Sequence, residues 1–186
     1  MKSLKPGRSV GTGAFYFLIL SIVLLSSFTG KAQTAAKSKI SVTLLLNTDG
    51  SKQSIADGVV AVFADHFSAK IGNEDSYKFE NENENIAIDR NGKLLSIEGR
   101  PTIKTSDTLH LKMWKLRRPS YHLQITGADF SDGVSAFISD SYLHREVPVD
   151  LAGVTMLAFD ITADAASYAP GRFSIYFETA AILQVP

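Results

Sequence analysis

An all-β fold is expected from this sequence: an antiparallel β-sandwich of jelly-roll or immunoglobulin-like type, with roughly ten strands, preceded by a signal peptide. Two observations carry the fold class. Beyond residue 39 nearly every apolar segment is short and alternates with polar residues at period two, and none sustains a period of 3.6. Turn residues bound these segments, and many short strands with regular turn signals make a sandwich or a barrel. A third observation concerns how the fold is held together. The 186 residues include no cysteine, so packing alone must suffice, as it does for a domain of about 150 residues.

Met1 to Gly13 is a basic stretch, followed by the apolar run Ala14 to Leu25 and then small or polar residues. This is the layout of a secretory signal peptide. Gly30 and Ala32 supply the small side chains that precede a cut, so cleavage is expected between Ala32 and Gln33. Twelve apolar residues span only ~18 Å as helix against ~30 Å of hydrocarbon core, which argues for a cleaved signal over a membrane anchor. The organisation is thus a signal peptide over 1–32, a short leader over 33–39 and one β domain over 40–186.

Strands are expected at Ile40 to Asn47, Gly58 to Ala64, Tyr77 to Phe79, Asn85 to Asp89, Leu94 to Glu98 and Thr108 to Lys115. Five more follow at Tyr121 to Thr126, Val134 to Ser139, Val147 to Leu151, Met156 to Ile161 and Arg172 to Phe177. Asp164 to Tyr168 supports no more than a helical turn. Asn91-Gly92 is the strongest hairpin signal, because a two-residue type I′ turn needs positive φ at both central positions. That loop sets Ile88 opposite Leu95 and Ile86 opposite Ile97 on a core face, with Ala87 opposite Ser96 behind it. Asp49-Gly50 and Asp132-Gly133 read as turns, and Pro148 and Pro170 as edge or loop positions.

A second hairpin is expected between Thr108 to Lys115 and Tyr121 to Thr126. Placing Leu109, Leu111 and Met113 on one face with Tyr121, Leu123 and Ile125 requires an odd loop, Leu116 to Ser120, pairing Met113 with Leu123 and Leu111 with Ile125. Trp114 then lies opposite His122, Lys112 opposite Gln124, and His110 opposite Thr126. Those five residues, Trp114, His122, Lys112, Gln124 and His110, flanked by Lys115, Arg117 and Arg118, form the candidate ligand-binding face. An aromatic ring beside hydrogen-bonding groups suits a sugar or an extended partner chain. The competing expectation is that a loop covers Trp114, or that Lys112 lays its stem over it.

The stretch Asn73 to Asn85 is dense in oxygen ligands, with Glu74, Asp75, Glu82 and Glu84 as a candidate Ca²⁺ set, although it lacks EF-hand spacing. A solvated, charged edge explains it as well. Net charge is zero over the whole chain, but removing 1–32 leaves 15 basic and 19 acidic residues, a net of −4. No clustered cationic footprint for nucleic acid results. The absence of cysteine rules out thiolate metal sites, cysteine nucleophiles, redox dithiols and a lipidated cysteine. No G-x-S-x-G, H-E-x-x-H, P-loop or G-x-G-x-x-G motif occurs, so a non-catalytic protein is expected.

Several pieces in order resemble a β-sandwich module of secreted, adhesin-like surface proteins of the Bacteroidota, of the kind found upstream of type IX secretion sorting domains. They are Asp57 to Phe63, Asp75 to Phe79 with Glu84 to Ala87, Gly92 to Glu98 with Arg100-Pro101, Asp107 to Leu111, Asp140 to Leu143, and Ser167 through Arg172 to Phe177. The resemblance brings no catalytic residues. It implies an exported structural or binding module, periplasmic or at the cell surface, whose partner is a glycan or an envelope protein. A pure spacer and a carbohydrate-active enzyme are the alternatives, and no membrane contact is expected once the signal is removed.

Overall fold

The computed structural model describes residues 37–48 and 52–179. The expected signal peptide, its cut at Ala32 and Gln33, and the Asp49-Gly50 turn lie outside the described residues. Each expected strand overlaps an observed one, although the strand expected at Tyr77 to Phe79 is confined to Ser76–Tyr77 and the one expected from Gly58 begins at Lys52. The observed strands are β1 (Ser38–Thr48), β2 (Lys52–Phe63), β3 (Ser76–Tyr77), β4 (Asn85–Arg90), β5 (Lys93–Arg100) and β6 (Thr108–Trp114), then β7 (Ser120–Ala128), β8 (Val134–Asp140), β9 (Arg145–Val149), β10 (Val154–Asp160) and β11 (Phe173–Thr179). Among the described residues the single helical element is a 3-10 turn, Ala165–Tyr168, whose start is capped by Asp164 accepting from the Ala166 amide at 2.9 Å. Among the described residues no helix is long and apolar enough to cross a membrane.

All eleven strands join one mixed sheet in the order β10-β7-β1-β2-β5-β4-β6-β11-β8-β9, with β3 paired to β5. One pair breaks the expected antiparallel pattern. β2 runs parallel to β5, Val60 to Phe63 matching Ile97 to Arg100, and the intervening residues 64–92, which include β3 and β4, supply the crossover that a parallel pair needs. The terminal strands β9 and β10 are consecutive in the chain, and the Arg145 guanidinium bridges them by donating to the Ala158 carbonyl at 3.3 Å. The sheet therefore closes nearly into a barrel.

Its inner face is the core. Ile40, Val42 and Leu44 of β1, Leu109, Leu111 and Met113 of β6, and Tyr121, Leu123 and Ile125 of β7 are all buried. Aromatic rings reach across it: Phe63 meets Phe177 edge-on at 5.3 Å, and Phe159 meets Phe173 at 5.0 Å. At one end the chain buries a charge. Arg172, 2% exposed, forks onto both oxygens of Asp140 at 2.8 Å and 2.8 Å, and its remaining nitrogen donates to the carbonyls of Asp160 at 3.0 Å and Ser167 at 2.7 Å. One guanidinium thus ties together the ends of β8 and β10, the 3-10 turn and the start of β11.

The Asn91-Gly92 hairpin forms, with φ of 54° and 80° at its two central residues and Ile88 opposite Leu95. Its ladder is shorter than expected. It stops at Leu95, so Ile86 does not meet Ile97 and Ala87 does not meet Ser96. A bulge where β3 pairs with β5 shifts the phase of β5, leaving Ile97 42% exposed and Glu98 fully buried.

Candidate functional site

The alternation along β6 turns Leu109, Leu111 and Met113 inward and His110, Lys112 and Trp114 outward, as parity requires. The neighbours differ from expectation. β6 lies between β4 and β11, so Asn85 is opposite Trp114, Ala87 opposite Lys112, and Ser174 opposite His110. The expected hairpin of β6 with β7 does not form: Met113 and Leu111 do not pair with Leu123 and Ile125, nor Trp114, Lys112 and His110 with His122, Gln124 and Thr126. His122 and Gln124 sit on β7, between β1 and β10, and four strands separate them from β6 in the sheet. The five-residue connection bridges the sheet instead of doubling back. It leaves β6 through Lys115 at φ 57°, which accepts from the Glu84 amide at 3.1 Å, and Tyr121 then receives the Arg118 amide at 2.7 Å. The candidate face is therefore divided, and only His110, Lys112 and Trp114 remain together.

Trp114 is half-buried, and its indole N–H donates to Glu80 Oε1 at 2.9 Å. The same carboxylate oxygen lies 2.7 Å from Lys115 Nζ. Hydrogen bonds from Lys115 and Trp114 hold the Glu80 carboxyl below its ordinary value. The acidic stretch and the basic stretch of the sequence thus meet at this point and offset each other. The proposed Ca²⁺ ligands are not brought together. Glu74 accepts from the Ser68 amide at 2.8 Å, and Asp75 from the amides of Gly72 at 2.7 Å and Gly99 at 2.9 Å. Glu84 instead receives the Tyr121 hydroxyl at 3.4 Å, and Glu82 is exposed. Among the described residues no three carboxylates or imidazoles converge on a cation position.

The structure gathers a different polar site where the end of β4, the end of β5 and the start of β6 meet. A cavity of about 430 Å³ is lined there by Arg90, Asn91, Arg100, Lys104, Asp107 and His110 among others. It adjoins a second, of about 510 Å³, that runs past Lys112 to Pro170 and Gly171 and shares Asp89, Asn91 and His110 with the first. The two make one groove beside the outward face of β6.

Behind its wall lies Glu98, aligned with Ala61 on the parallel partner strand and fully buried. Arg90 Nε approaches its Oε1 at 3.2 Å and Arg100 Nε at 2.9 Å, but neither Glu98 oxygen has an aligned hydrogen bond. Arg90 is also engaged elsewhere, donating to the carbonyls of Gly99 at 3.3 Å and Ala69, with Asp75 at 3.7 Å. Among the described residues the two terminal nitrogens of Arg100 have no hydrogen-bond acceptor, and Lys104 pairs with no acid. Asp89 and Asp107 each turn one oxygen to a loop amide, Gly92 at 2.7 Å and Lys104 at 2.8 Å.

Burial pushes the Glu98 carboxyl above its ordinary value, and the charges of Arg100 and Arg90 offset only part of that. A carboxyl whose folded value lies above its unfolded one contributes stability that is complete below about pH 4.3 and is lost as pH rises through the folded value. Urea unfolding of wild type and Glu98→Gln between pH 4 and 8 checks this. The wild type should lose stability relative to the variant as pH rises, and parallel curves would contradict it.

Arg90, Glu98 and Arg100 were not among the sequence candidates. Arg100-Pro101 marks a strand end, but a bulge has no periodic signal, so parity places Ile97 inside and Glu98 out. No protein-family model, curated protein or solved structure matches the chain.

Proposed function

We propose that this chain is an exported, non-catalytic module of the cell envelope that binds saccharide chains along the groove beside β6. The observation that carries the reading is the pair of adjoining cavities of about 430 and 510 Å³, lined by His110, Lys112, Asn91 and Asp89. It is elongated and open, rich in hydrogen-bonding side chains on rigid strands, which suits a polyhydroxylated chain. The export signal in the sequence and the resemblance to adhesin-like modules of the Bacteroidota support the location. We read the curled sheet as sandwich-like, its β10-β7-β1-β2 half packing on the β4-β6-β11-β8 half through Phe63, Phe177, Phe159 and Phe173.

An oligosaccharide array with Trp114 emission as a second readout tests the reading, since Trp114 follows Lys112 on the same face. Bound saccharide should change the emission, and His110→Ala or Lys112→Ala should each weaken binding about fivefold, as loss of one hydrogen bond does. An array without a hit would exclude it. A spacer role is the second reading, favoured by the Trp114 indole N–H being taken up by Glu80.

A further inference from the structure

We propose that the saccharide taken by this groove is acidic, with a carboxylate seated between the free end of the Arg100 guanidinium and the Lys104 ammonium. The inference rests on the saccharide reading and narrows its ligand class.

The lining decides between three ligand classes. Arg90 and Arg100 share one buried carboxylate, Glu98, and Arg90 is further engaged by two carbonyls and by Asp75. Arg100 approaches Glu98 through its Nε, its terminal nitrogens make no hydrogen bond among the described residues, and the residue lines the cavity; its planar pair of terminal N–H donors has the geometry that matches a carboxylate. A neutral sugar would desolvate that pair and Lys104 without supplying a charge in return. A small inorganic anion would meet Arg100 and Lys104, but it would also face the carboxylates of Asp89 and Asp107 across a cavity far larger than itself. A sugar acid satisfies both kinds of group. Its carboxylate meets the cations, while its hydroxyls donate to Asp89 and Asp107 and exchange hydrogen bonds with Asn91, Thr102 and Thr108. The shared edge of the two cavities at His110 lets the chain continue past Lys112.

The test is calorimetric titration of the folded chain with trisaccharides of galacturonate, glucuronate and mannuronate, each beside its fully methyl-esterified form, and with sodium sulfate. At least one acid should bind ten or more times more tightly than its ester, with an affinity that falls as NaCl rises. Lys104→Gln should weaken the acid about fivefold and the ester by less, so that the gap between acid and ester narrows. Arg100→Lys keeps the charge that faces Glu98 but loses the fork, and should weaken the acid about tenfold with the melting temperature near wild type. Equal binding of acid and ester, or an unaffected Lys104→Gln, overturns the acidic assignment and leaves the saccharide reading standing. Sulfate binding as tightly as any trisaccharide overturns it in favour of a generic anion site. An array in which no saccharide of any charge binds overturns both.

Discussion

Arg172→Met should destabilise the protein by about 3–5 kcal/mol and lower its melting temperature by roughly 10 °C or more, measurable by urea and thermal unfolding. Both partners of the Arg172 and Asp140 pair are 1% exposed as side chains. A buried pair is costly to create, because two charges leave water, and costlier to halve, because the survivor is stranded. Removing Arg172 leaves Asp140 with the amides of Tyr142 at 3.2 Å and Leu143 at 3.3 Å, and with Arg145 no closer than 3.7 Å. It also frees the carbonyls of Asp160 and Ser167 and removes a cation from over the rings of Tyr142 and Phe173, at 4.8 Å and 4.8 Å. The double variant Arg172→Met/Asp140→Leu should recover part of the loss. Full additivity of the two single changes would show that they do not interact.

The same pair has a pH signature of opposite sign to that of Glu98. Burial raises the Asp140 carboxyl, but the hydrogen bonds and charge of Arg172 outweigh it and hold the group below its ordinary value. A carboxyl with a depressed folded value contributes stability that is complete above about pH 3.9 and is lost as pH falls through the folded value. The gap between wild type and Arg172→Met should therefore narrow in acid.

What was legible in the sequence is what depends on neighbours in the chain. Alternation is local, so all eleven strands and the 3-10 turn at Ala165 to Tyr168 can be placed from it, and Asn91-Gly92 specifies its own turn. Pairing between distant strands is a different matter. The parity condition that aligned Met113 with Leu123 is satisfied equally well by Met113 opposite Ile86 and by Leu123 opposite Leu44. Inward parity is shared by every strand that lines one core, so it cannot select a partner. The candidate site suffered from this directly. His110, Lys112 and Trp114 share a strand and stayed together, while His122 and Gln124 depended on the unformed hairpin. Arg100 and Glu98 escaped notice because one bulge, invisible to periodicity, reverses which residues of β5 face inward. Arg172 and Asp140, 32 residues apart, likewise meet only through the sheet order.

Gly127→Ala should cost about 3 kcal/mol, near the upper end of what a single added methyl group does in a packed interior. Gly127 lies near the end of β7, opposite Ile40 of β1, and its amide donates to the Gly153 carbonyl at 3.3 Å. A Cβ there would stand 2.4 Å from the Leu151 carbonyl oxygen and 2.5 Å from its Cα. These are backbone atoms, so no rotamer change relieves the overlap. The turn 150–153 joining β9 to β10 would have to move outward. That turn sets how closely the two terminal strands approach, and Arg145 spans them to Ala158 by a single hydrogen bond of 3.3 Å. The expected result is a lower urea midpoint, with faster amide exchange along β9 and β10 than elsewhere in the sheet. Gly171→Ala is the matched control, because a Cβ there meets nothing within 4 Å, and it should leave stability unchanged or raise it by a few tenths of a kcal/mol. Similar losses at both positions would mean that glycine at 127 serves backbone freedom. A loss confined to Gly127→Ala with exchange concentrated at β9 and β10 identifies the close approach of Leu151 as what keeps the sheet nearly closed.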